Sequence, residues 1–378
     1  MKNKKTKLFM LFLFFMLPSL YGQNLYFPEY RRQAALIASA MDDSALAAQV
    51  LITGIEGRYS LSPAMRTLLQ RIPAGAVMLF GYNLDTSKDA IKSLLEETVN
   101  LITANSQIAP FIAVDHEGGR VHRFGDIVQP LPSAYSFWHL AQRAGSGFAI
   151  REAENLYRRS AEEISALGIN MVFAPVAEIL YDENSWFLGD RSYGPDIYFA
   201  EAAASSYIRA MYAHGIASVL KHFPGNTSVD PHLWVSSLNL DRAALNHIVR
   251  PFAAIINELS PSAVMVSHVI VPALDSSINA SLSQAVIQDW LRMELGFNGI
   301  VIADDLSMGA IEVIDPIVAA IYALNAGVDM IMVWPHNINA VHRAILGALQ
   351  NGSLSRQRLM QAVENIITEK LRYGLITF

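Results

Sequence analysis

Two adjacent carboxylates follow an apolar run that has the pattern of a buried strand. Asp304 and Asp305 come directly after the uncharged residues 299–303, GIVIA. Because side chains alternate along a strand, only one of the two can point toward the end of the sheet, where a substrate could reach it. Alternation does not decide which one, and both carboxylates could instead cap a following helix. Carboxylate chemistry is nevertheless the use that fits this position best.

A second pair of polar residues, Asp230 and His232, lies in a loop that begins at Pro224 and Gly225. Only Pro231 separates them, and in an extended segment this spacing places both side chains on one side of the chain. A carboxylate beside an imidazole orients the ring and supports its use as a general acid or base near neutral pH. The alternative is a turn in which Asp230 accepts hydrogen bonds from backbone N–H groups and His232 is exposed.

Other kinds of catalytic site fit the sequence poorly. Four side chains could ligate a metal, namely His222, Asp230, His232 and His268, but they are spread over separate runs without the spacing of a metal site. The sequence contains no cysteine and no GxSxG motif, so a nucleophilic thiol or an activated serine is not supported. We therefore expect neither a metal nor another cofactor.

Eight short apolar runs, each followed by a longer helical stretch, must position these residues. The runs are apolar throughout rather than alternating, which is typical of parallel strands covered on both faces. They are QVLITGI (49–55), GAVMLFG (75–81), FIAVDHE (111–117), NMVFAPVAEI (170–179), ASVLKHF (217–223), AVMVSHVIV (263–271), GIVIADDL (299–306) and VDMIMV (328–333). Amphipathic segments such as 87–105, 151–168 and 283–296 lie between them, and a last one covers 353–373.

This pattern predicts an α/β fold, a single-domain (β/α)8 TIM barrel over residues 23–378. A doubly wound open sheet is the alternative. It is disfavoured because the first strand-to-helix turn, GIEGRYS, lacks the GxGxxG fingerprint of dinucleotide-binding sheets.

Polar residues gather where the predicted strands end. In a barrel of this type the loops after the strands build the active site. The residues at these ends are Asp115, His116 and Glu117 in the third run, Lys221 and His222 in the fifth, Ser267 and His268 in the sixth, and Asp304 and Asp305 in the seventh. The beginnings of the same runs contain almost no ionisable residue. This asymmetry predicts an enzyme.

The composition of the 378 residues excludes several other classes of protein. Hydrophobic residues make up 52% of the chain and charged residues only 16%, which indicates a large buried core rather than a disordered or fibrous chain. The net charge of −6 and the lack of a basic stripe argue against a nucleic-acid partner.

Residues 1–22 have the pattern of a secretory signal peptide. Four lysines stand within the first seven residues, an uncharged apolar run covers 8–20, and the small residue Gly22 offers a cleavage point. We expect an exported, monomeric protein, periplasmic or secreted, whose mature chain has 24 basic and 34 acidic residues. The alternative is a retained N-terminal membrane anchor, because Leu20 and Tyr21 are bulky for a cleavage site. Apart from that anchor we expect no integral membrane segment.

Five motifs resemble those of a known family. They are AVDHEGGRVHRF (113–124), FLGDRSYG (187–194), KHFPG followed by Asp-x-His (221–232), MVSHV (265–269) and IADDLSM (302–308). In order, spacing and strand position they resemble glycoside hydrolase family 3, over roughly residues 30–375, and in particular the single-barrel β-N-acetylglucosaminidases that act on bacterial cell-wall fragments. The resemblance implies a retaining exo-β-N-acetylglucosaminidase whose substrate is a glycan containing N-acetylglucosamine.

The resemblance also implies roles for individual residues. Asp304 would be the nucleophile that forms a covalent glycosyl-enzyme, and Asp305 would support it. His232 would be the general acid/base with Asp230 as its partner, in place of the carboxylic acid that most glycosidases use. The residues that would contact the substrate are Asp115, Arg191, Lys221, His222 and His268.

The chain departs from the family pattern at two places. The loop after the fifth strand usually reads KHFPGHG with Asp-Ser-His, whereas this chain has Asn226, Thr227 and Pro231 at the corresponding positions. In the fourth run, Glu178 stands where the family usually has Asp. Neither departure affects the implied nucleophile or the Asp-x-His pair.

Two alternative functions remain open at the level of sequence. One is a β-glucosidase or β-xylosidase of the same family, against which the Asp-x-His loop argues. The other is a catalytically silent barrel that binds sugars, which the altered loop would allow.

Overall fold

A computed structural model describes residues 27–311 and 313–376, so the predicted signal peptide and its boundary at residue 22 lie outside the described residues. Eight parallel strands form the central sheet. They are β1 (Leu51–Gly54), β2 (Ala76–Leu79), β3 (Phe111–Val114), β4 (Met171–Val172), β5 (Ala217–Phe223), β6 (Ala263–Val266), β7 (Ile300–Ala303) and β8 (Ile331–Met332). Their order in the sheet is β7-β6-β5-β4-β3-β2-β1-β8.

The sheet closes between its first and last members. Ile302 of β7 forms a parallel bridge with Met330, which directly precedes β8. The backbone N–H of Ala303 donates to the carbonyl oxygen of Met330 at 3.2 Å, and that of Met330 donates to the carbonyl oxygen of Val301 at 3.1 Å. The fold is therefore a (β/α)8 barrel, as predicted, and the alternative of an open doubly wound sheet is wrong.

Each of the eight strands lies inside one predicted run, and every strand residue is buried. Continuous apolar runs identify these strands because helices cover one face of the sheet and the barrel interior fills the other. The sixth run is shorter than predicted: β6 ends at Val266, and Ile270–Val271 pairs instead with Asp275–Asn279 in a small hairpin. A second hairpin, His116–Gly118 with Val121–His122, follows β3.

Helices surround the barrel. The α-helices are Pro28–Ala40, Asp43–Gln49, Pro63–Arg71, Gly81–Leu84, Lys88–Ser106, Ala134–Ala144, Ser146–Ser165, Ser185–Leu188, Ile197–Tyr212, Arg242–Ile248, Arg250–Leu259, Pro316–Ala326, Ile338–Asn351 and Arg356–Arg372. A π-helix covers Ala285–Glu294, and single 3₁₀ turns cover Gly189–Arg191, Ala280–Leu282 and Gly309–Ile311.

Local sequence signals explain many helix starts. Ser87, for example, precedes helix Lys88–Ser106 and accepts a hydrogen bond from the N–H of Ala90 at 3.2 Å. Helix Ser146–Ser165 begins five residues before the predicted start at 151. Gly145, at φ 89°, ends helix Ala134–Ala144 and directly precedes this helix, whose first two residues, Ser146 and Gly147, give little sequence signal for a helix start.

A buried ion cluster fixes the end of the barrel opposite the predicted site. Asp329, which precedes β8 and is fully buried, accepts hydrogen bonds from Arg358 at 3.0 Å and from the backbone N–H of Val301 at 3.0 Å. Arg292 and Asn365 also donate to it. One carboxylate thus joins two strands and two outer helices. Within the described ranges, no helix is long and apolar enough to cross a membrane.

Candidate active site

A cavity of about 660 Å³ opens at the carboxyl ends of the strands. Seven of the eight predicted site residues line it: Asp115, Arg191, Lys221, His222, Asp230, His232 and Asp304. They come from five different strand ends or loops, so only the closed barrel brings them together. The eighth, His268, is not among the lining residues.

Asp304 follows β7 directly and is half-buried at the cavity wall. Its backbone N–H donates to the carbonyl oxygen of Val266 at 3.1 Å, which extends the strand pairing to the carboxylate itself. Burial alone would raise the pKa of Asp304, but His222, His268, the backbone N–H of Asp305 and the charge of Lys221 together outweigh burial and hold that pKa below its usual value. Asp304 is therefore ionised at neutral pH, as a carboxylate nucleophile must be.

The neighbouring Asp305 has a different task. One of its oxygens accepts a hydrogen bond from the indole N–H of Trp334 at 2.9 Å. The other accepts from both the backbone N–H and the hydroxyl of Ser307, at 2.9 and 2.7 Å. Its carboxylate is thus occupied in holding the turn after β7. These partners distinguish the two carboxylates, which alternation along the strand could not do.

Asp230 and His232 are in direct contact. Oδ1 of Asp230 lies 2.7 Å from Nδ1 of His232 and also accepts the backbone N–H of His232 at 2.9 Å. The same carboxylate therefore forms both the turn and the side-chain pair that the sequence offered as alternatives. Burial would raise the pKa of Asp230, but the two hydrogen bonds from His232 outweigh it and lower that pKa. Because Nδ1 is engaged, Nε2 is the nitrogen that can exchange a proton with a substrate.

Two cations and two carboxylates form one ion cluster in the cavity. Nζ of Lys221 lies 2.9 Å from Asp115 and 2.7 Å from Glu117, and the Arg191 guanidinium binds Glu117 through two bonds of 2.8 Å. Burial would raise the pKa of Glu117, but the charges of Lys221 and Arg191 outweigh it and hold that pKa far below its usual value. Burial likewise disfavours charged Lys221, yet the two carboxylates raise its pKa. The cluster stays ionised and offers fixed donors and acceptors for hydroxyl groups.

Glu178, one of the two departures from the family pattern, is the centre of another buried network. One of its oxygens lies 2.7 Å from Nδ1 of His222 and 3.1 Å from Nδ2 of Asn226. The other accepts the backbone N–H of Asn226 at 2.6 Å. Asn226 belongs to the other departure, the loop after the fifth strand, so the two unusual positions are in direct contact. Together they fix the His222 ring and the start of the loop that contains His232.

His268 is buried and does not line the cavity. It is 1% exposed, and its ring nitrogens lie 2.7 Å from the hydroxyl of Ser281 and 2.9 Å from the backbone carbonyl oxygen of Asp305. Both nitrogens are thus used within the protein, behind the two carboxylates. This geometry suits His268 to positioning the turn after β7, and its predicted contact with the sugar stays a prediction.

Aromatic residues at the cavity were missed by the sequence analysis. Trp334 directly follows the eighth predicted run, and its indole bonds Asp305, so its place at a strand end was an available signal. Trp186 lines the same cavity and is 75% exposed. It directly precedes the FLGDRSYG motif, but nothing in its local sequence distinguishes it from a surface residue.

The combination of fold and site defines a class of protein. One cavity at the carboxyl ends of the strands contains an ionised carboxylate, a histidine–aspartate pair and cations that can bind hydroxyl groups. These are the groups that a glycosidase needs. The family model described as "Glycosyl hydrolase family 3 N terminal domain" matches residues 47–369. The chain belongs to glycosyl hydrolase family 3, as the motifs indicated.

Known relatives agree with this assignment. A beta-hexosaminidase of Idiomarina loihiensis is 35% identical over 299 residues, which cover 77% of this chain and 88% of the relative. The Beta-hexosaminidase A of Pseudoalteromonas piscicida is 30% identical over 287 residues, 72% of this chain and 47% of that protein. A solved family 3 beta-N-acetylglucosaminidase from Paenibacillus sp. FPU-7 superposes with a TM-score of 0.83 at 28% identity, covering 90% of this chain and 64% of that one. The chain thus spans less than two thirds of these last two proteins.

Proposed function

We propose that this chain is a retaining exo-β-N-acetylglucosaminidase that removes terminal N-acetylglucosamine from peptidoglycan fragments or related β-linked amino sugars. The observation that supports this most is that the contacting pair Asp230 and His232 lines the same cavity as Asp304. His232 can then serve as the proton donor and Asp304 as the nucleophile, each from a different loop of one barrel. The beta-hexosaminidases of similar sequence support the choice of sugar.

In the proposed reaction, Asp304 attacks the anomeric carbon of the sugar while the bond to the leaving oxygen breaks. Nε2 of His232 gives its proton to that oxygen, and the sugar stays bound to Asp304 through an ester. The now neutral imidazole then takes a proton from water, whose oxygen attacks the same carbon and releases Asp304. Two displacements at one carbon retain its configuration.

The ion cluster would hold the sugar during both steps. Lys221 and Arg191 are fixed donors. Asp115 is an acceptor: Lys221 lies 2.9 Å from one of its oxygens, and Arg123 lies 3.4 Å from the other. Groups whose positions are set before binding lose little freedom when a substrate arrives, so they favour a single orientation of the ring.

The experiment that tests this function compares aryl N-acetylglucosaminide with aryl glucoside and aryl xyloside. We expect turnover of the N-acetyl substrate at least tenfold above the other two and release of the β-anomer first. Asp304→Asn should abolish turnover without lowering the melting temperature, whereas the matched control Asp289→Asn, exposed on helix Ala285–Glu294, should have wild-type activity.

Three outcomes would contradict the proposal in different ways. Equal turnover of glucoside or xyloside would indicate a β-glucosidase or β-xylosidase of the same family. Sugar binding without turnover would indicate a silent barrel. Wild-type activity of Asp304→Asn would exclude the assigned nucleophile.

We also propose that the protein is exported and monomeric. The basic start and the apolar run within residues 1–22 support export. Mass spectrometry of the protein from the producing cell should give an N-terminus near residue 23 in the periplasm or medium, and light scattering should give the mass of one chain. An intact N-terminus in the membrane fraction, or a dimer mass, would contradict these two proposals.

A further inference from the structure

The loop that contains His232 is bound through its backbone to the segment that follows the nucleophile. The N–H of Gly309 donates to the carbonyl oxygen of His232 at 3.0 Å, and the N–H of Ala310 donates to that of Pro231 at 2.9 Å. The two segments belong to different strand–helix units, the loop after β5 and the turn after β7. These bonds therefore connect the proposed acid/base directly to the chain that leaves Asp304.

Gly309 has no room for a side chain at this contact. A Cβ atom there would lie 2.5 Å from the carbonyl oxygen of Leu233 and 2.8 Å from that of His232. Contacts this short with backbone atoms cannot be relieved by rotating a side chain, so the loop would have to move away. The backbone of Gly309 does not have a positive φ, so close approach rather than conformation explains the glycine.

The other side of the contact is rigidly held. Nδ2 of Asn279, which is buried, donates to the carbonyl oxygens of Ala310, at 3.1 Å, and of His268, at 2.5 Å. The His268 ring in turn lies 2.9 Å from the carbonyl oxygen of Asp305. These hydrogen bonds hold the backbone of residues 305–310 in place behind the nucleophile, and the His232 loop contacts this segment.

The loop itself has a largely exposed outer side. The side chain of His232 is 65% exposed, and Leu233 and Trp234 are 60% and 68% exposed. Apolar packing therefore supplies little to hold residues 232–234 in place. The place of these residues therefore depends on the backbone bonds that Gly309 and Ala310 donate.

From these observations we infer that Gly309 is a positioning residue: its lack of a side chain lets the His232 loop sit against the turn after β7, and so sets the place of the acid/base relative to Asp304. The inference rests on the proposed function. A side chain at Gly309 moves His232 away while leaving Asp304 and the ion cluster as they are. Bond cleavage that needs a proton donor then slows, whereas departure of a group that needs none does not.

The test is Gly309→Ala, with Gly347→Ala as the matched control. Gly347 lies in helix Ile338–Asn351, where an added Cβ meets no atom within 4 Å. Positioned acid catalysis contributes a factor of about 100 or more. We expect Gly309→Ala to lower kcat/KM at least tenfold for substrates with sugar or alkyl leaving groups, and less than threefold for a dinitrophenyl leaving group. Gly347→Ala should match wild type on both.

Hydrogen exchange of the backbone amides gives a second readout that does not need activity. In the wild type the amides of residues 309 and 310 should be protected, and in Gly309→Ala they should exchange faster together with residues 230–234. If the wild type lacked N-acetylglucosaminidase activity but showed this change, the proposed function would fail while the docking contact stood.

Several results would overturn the inference. Unchanged exchange in Gly309→Ala would do so, as would an equal loss of rate for both kinds of leaving group, since that pattern indicates general damage. If Gly309→Ala does not fold, Ala310→Pro, which removes one of the two donors, is judged by the same comparison of leaving groups and by the exchange of the amides of residues 309 and 232–234. Rapid exchange of both amides in the wild type would overturn the inference outright.

Discussion

At the scale of single residues, the partners of a side chain decide its task more than its type does. Asp304 and Asp305 are adjacent and identical, and both line the cavity, yet the Asp305 carboxylate is occupied by Trp334 and Ser307, whereas Asp304 has a lowered pKa and no such side-chain partners among the described contacts. The sequence predicted that one of them would be functional. Only the family resemblance assigned Asp304; alternation along the strand could not separate the two, because one distinguishing partner, Trp334, is 29 residues away along the chain.

His232→Ala should affect substrates according to their leaving groups. Without the imidazole no proton reaches the departing oxygen, so we expect kcat/KM for a sugar leaving group to fall by about 100-fold or more. A dinitrophenolate leaves without protonation, so formation of the glycosyl-enzyme from that substrate should change little. Single-turnover kinetics on the two substrates measures this step. Equal losses on both would argue against the acid role.

At the scale of elements, the two departures from the family pattern compensate one another. Glu178 at the end of the fourth run and Asn226 in the loop after β5 share two hydrogen bonds, of 2.6 and 3.1 Å. Glu178 is longer than the Asp, and Asn226 shorter than the His, that the family pattern usually has at these two positions. The sequence located both departures but not their contact, since separate strand–helix units meet only in the closed barrel.

A double-mutant cycle tests this compensation. We expect Glu178→Asp alone and Asn226→His alone each to lower the free energy of unfolding, because the first leaves a gap and the second crowds a buried site. The double variant should lose less than the sum of the two, with a coupling of about 0.5–3 kcal/mol. Urea unfolding measures all four proteins. Strict additivity would show that the two residues do not act as a pair.

At the scale of the whole molecule, the strands were predictable and much of the site scaffold was not. The eight strands of the barrel are identified by apolar runs because burial on both faces demands them. The hairpins after β3 and β6, the buried contacts of His268 and the network of Glu178 depend on contacts between distant segments, which periodicity does not encode. Seven of the eight predicted site residues line one cavity because barrel topology, once predicted, brings every strand end to the same side.

The same closed packing buries one cation far from the cavity. Lys370, in the last helix, is fully buried; its Nζ lies 2.9 Å from Oε1 of Gln49 and 5.6 Å from the centre of the Phe111 ring. Burial lowers the pKa of Lys370 to about 7, from the ordinary 10.5 of the unfolded chain. Between these two values the unfolded state binds more protons, so this lysine makes stability rise with pH, and it destabilises the fold most at and below pH 7.

Lys370→Met should therefore change the pH dependence of stability. Relative to wild type, the variant should gain most at pH 7, and the gain should shrink by about 1 kcal/mol per pH unit between pH 7 and pH 10. Urea unfolding gives the free energy of unfolding of both proteins at pH 7 and at pH 9.5. An effect of losing the Gln49 contact that is the same at both pH values cancels when the gains at the two pH values are compared. If the gain in stability were the same at both pH values, the lowered pKa of Lys370 would be contradicted.

The central claim, that Asp304 is the nucleophile of an N-acetylglucosaminidase, is tested most directly by trapping the covalent intermediate. The protein is incubated with an activated 5-fluoro N-acetylglucosaminide, whose fluorine slows breakdown of a glycosyl-enzyme, and then digested for peptide mass spectrometry. We expect one added sugar on the peptide that contains Asp304 and none in Asp304→Asn. Turnover without any adduct, or an adduct on another residue, would contradict the account.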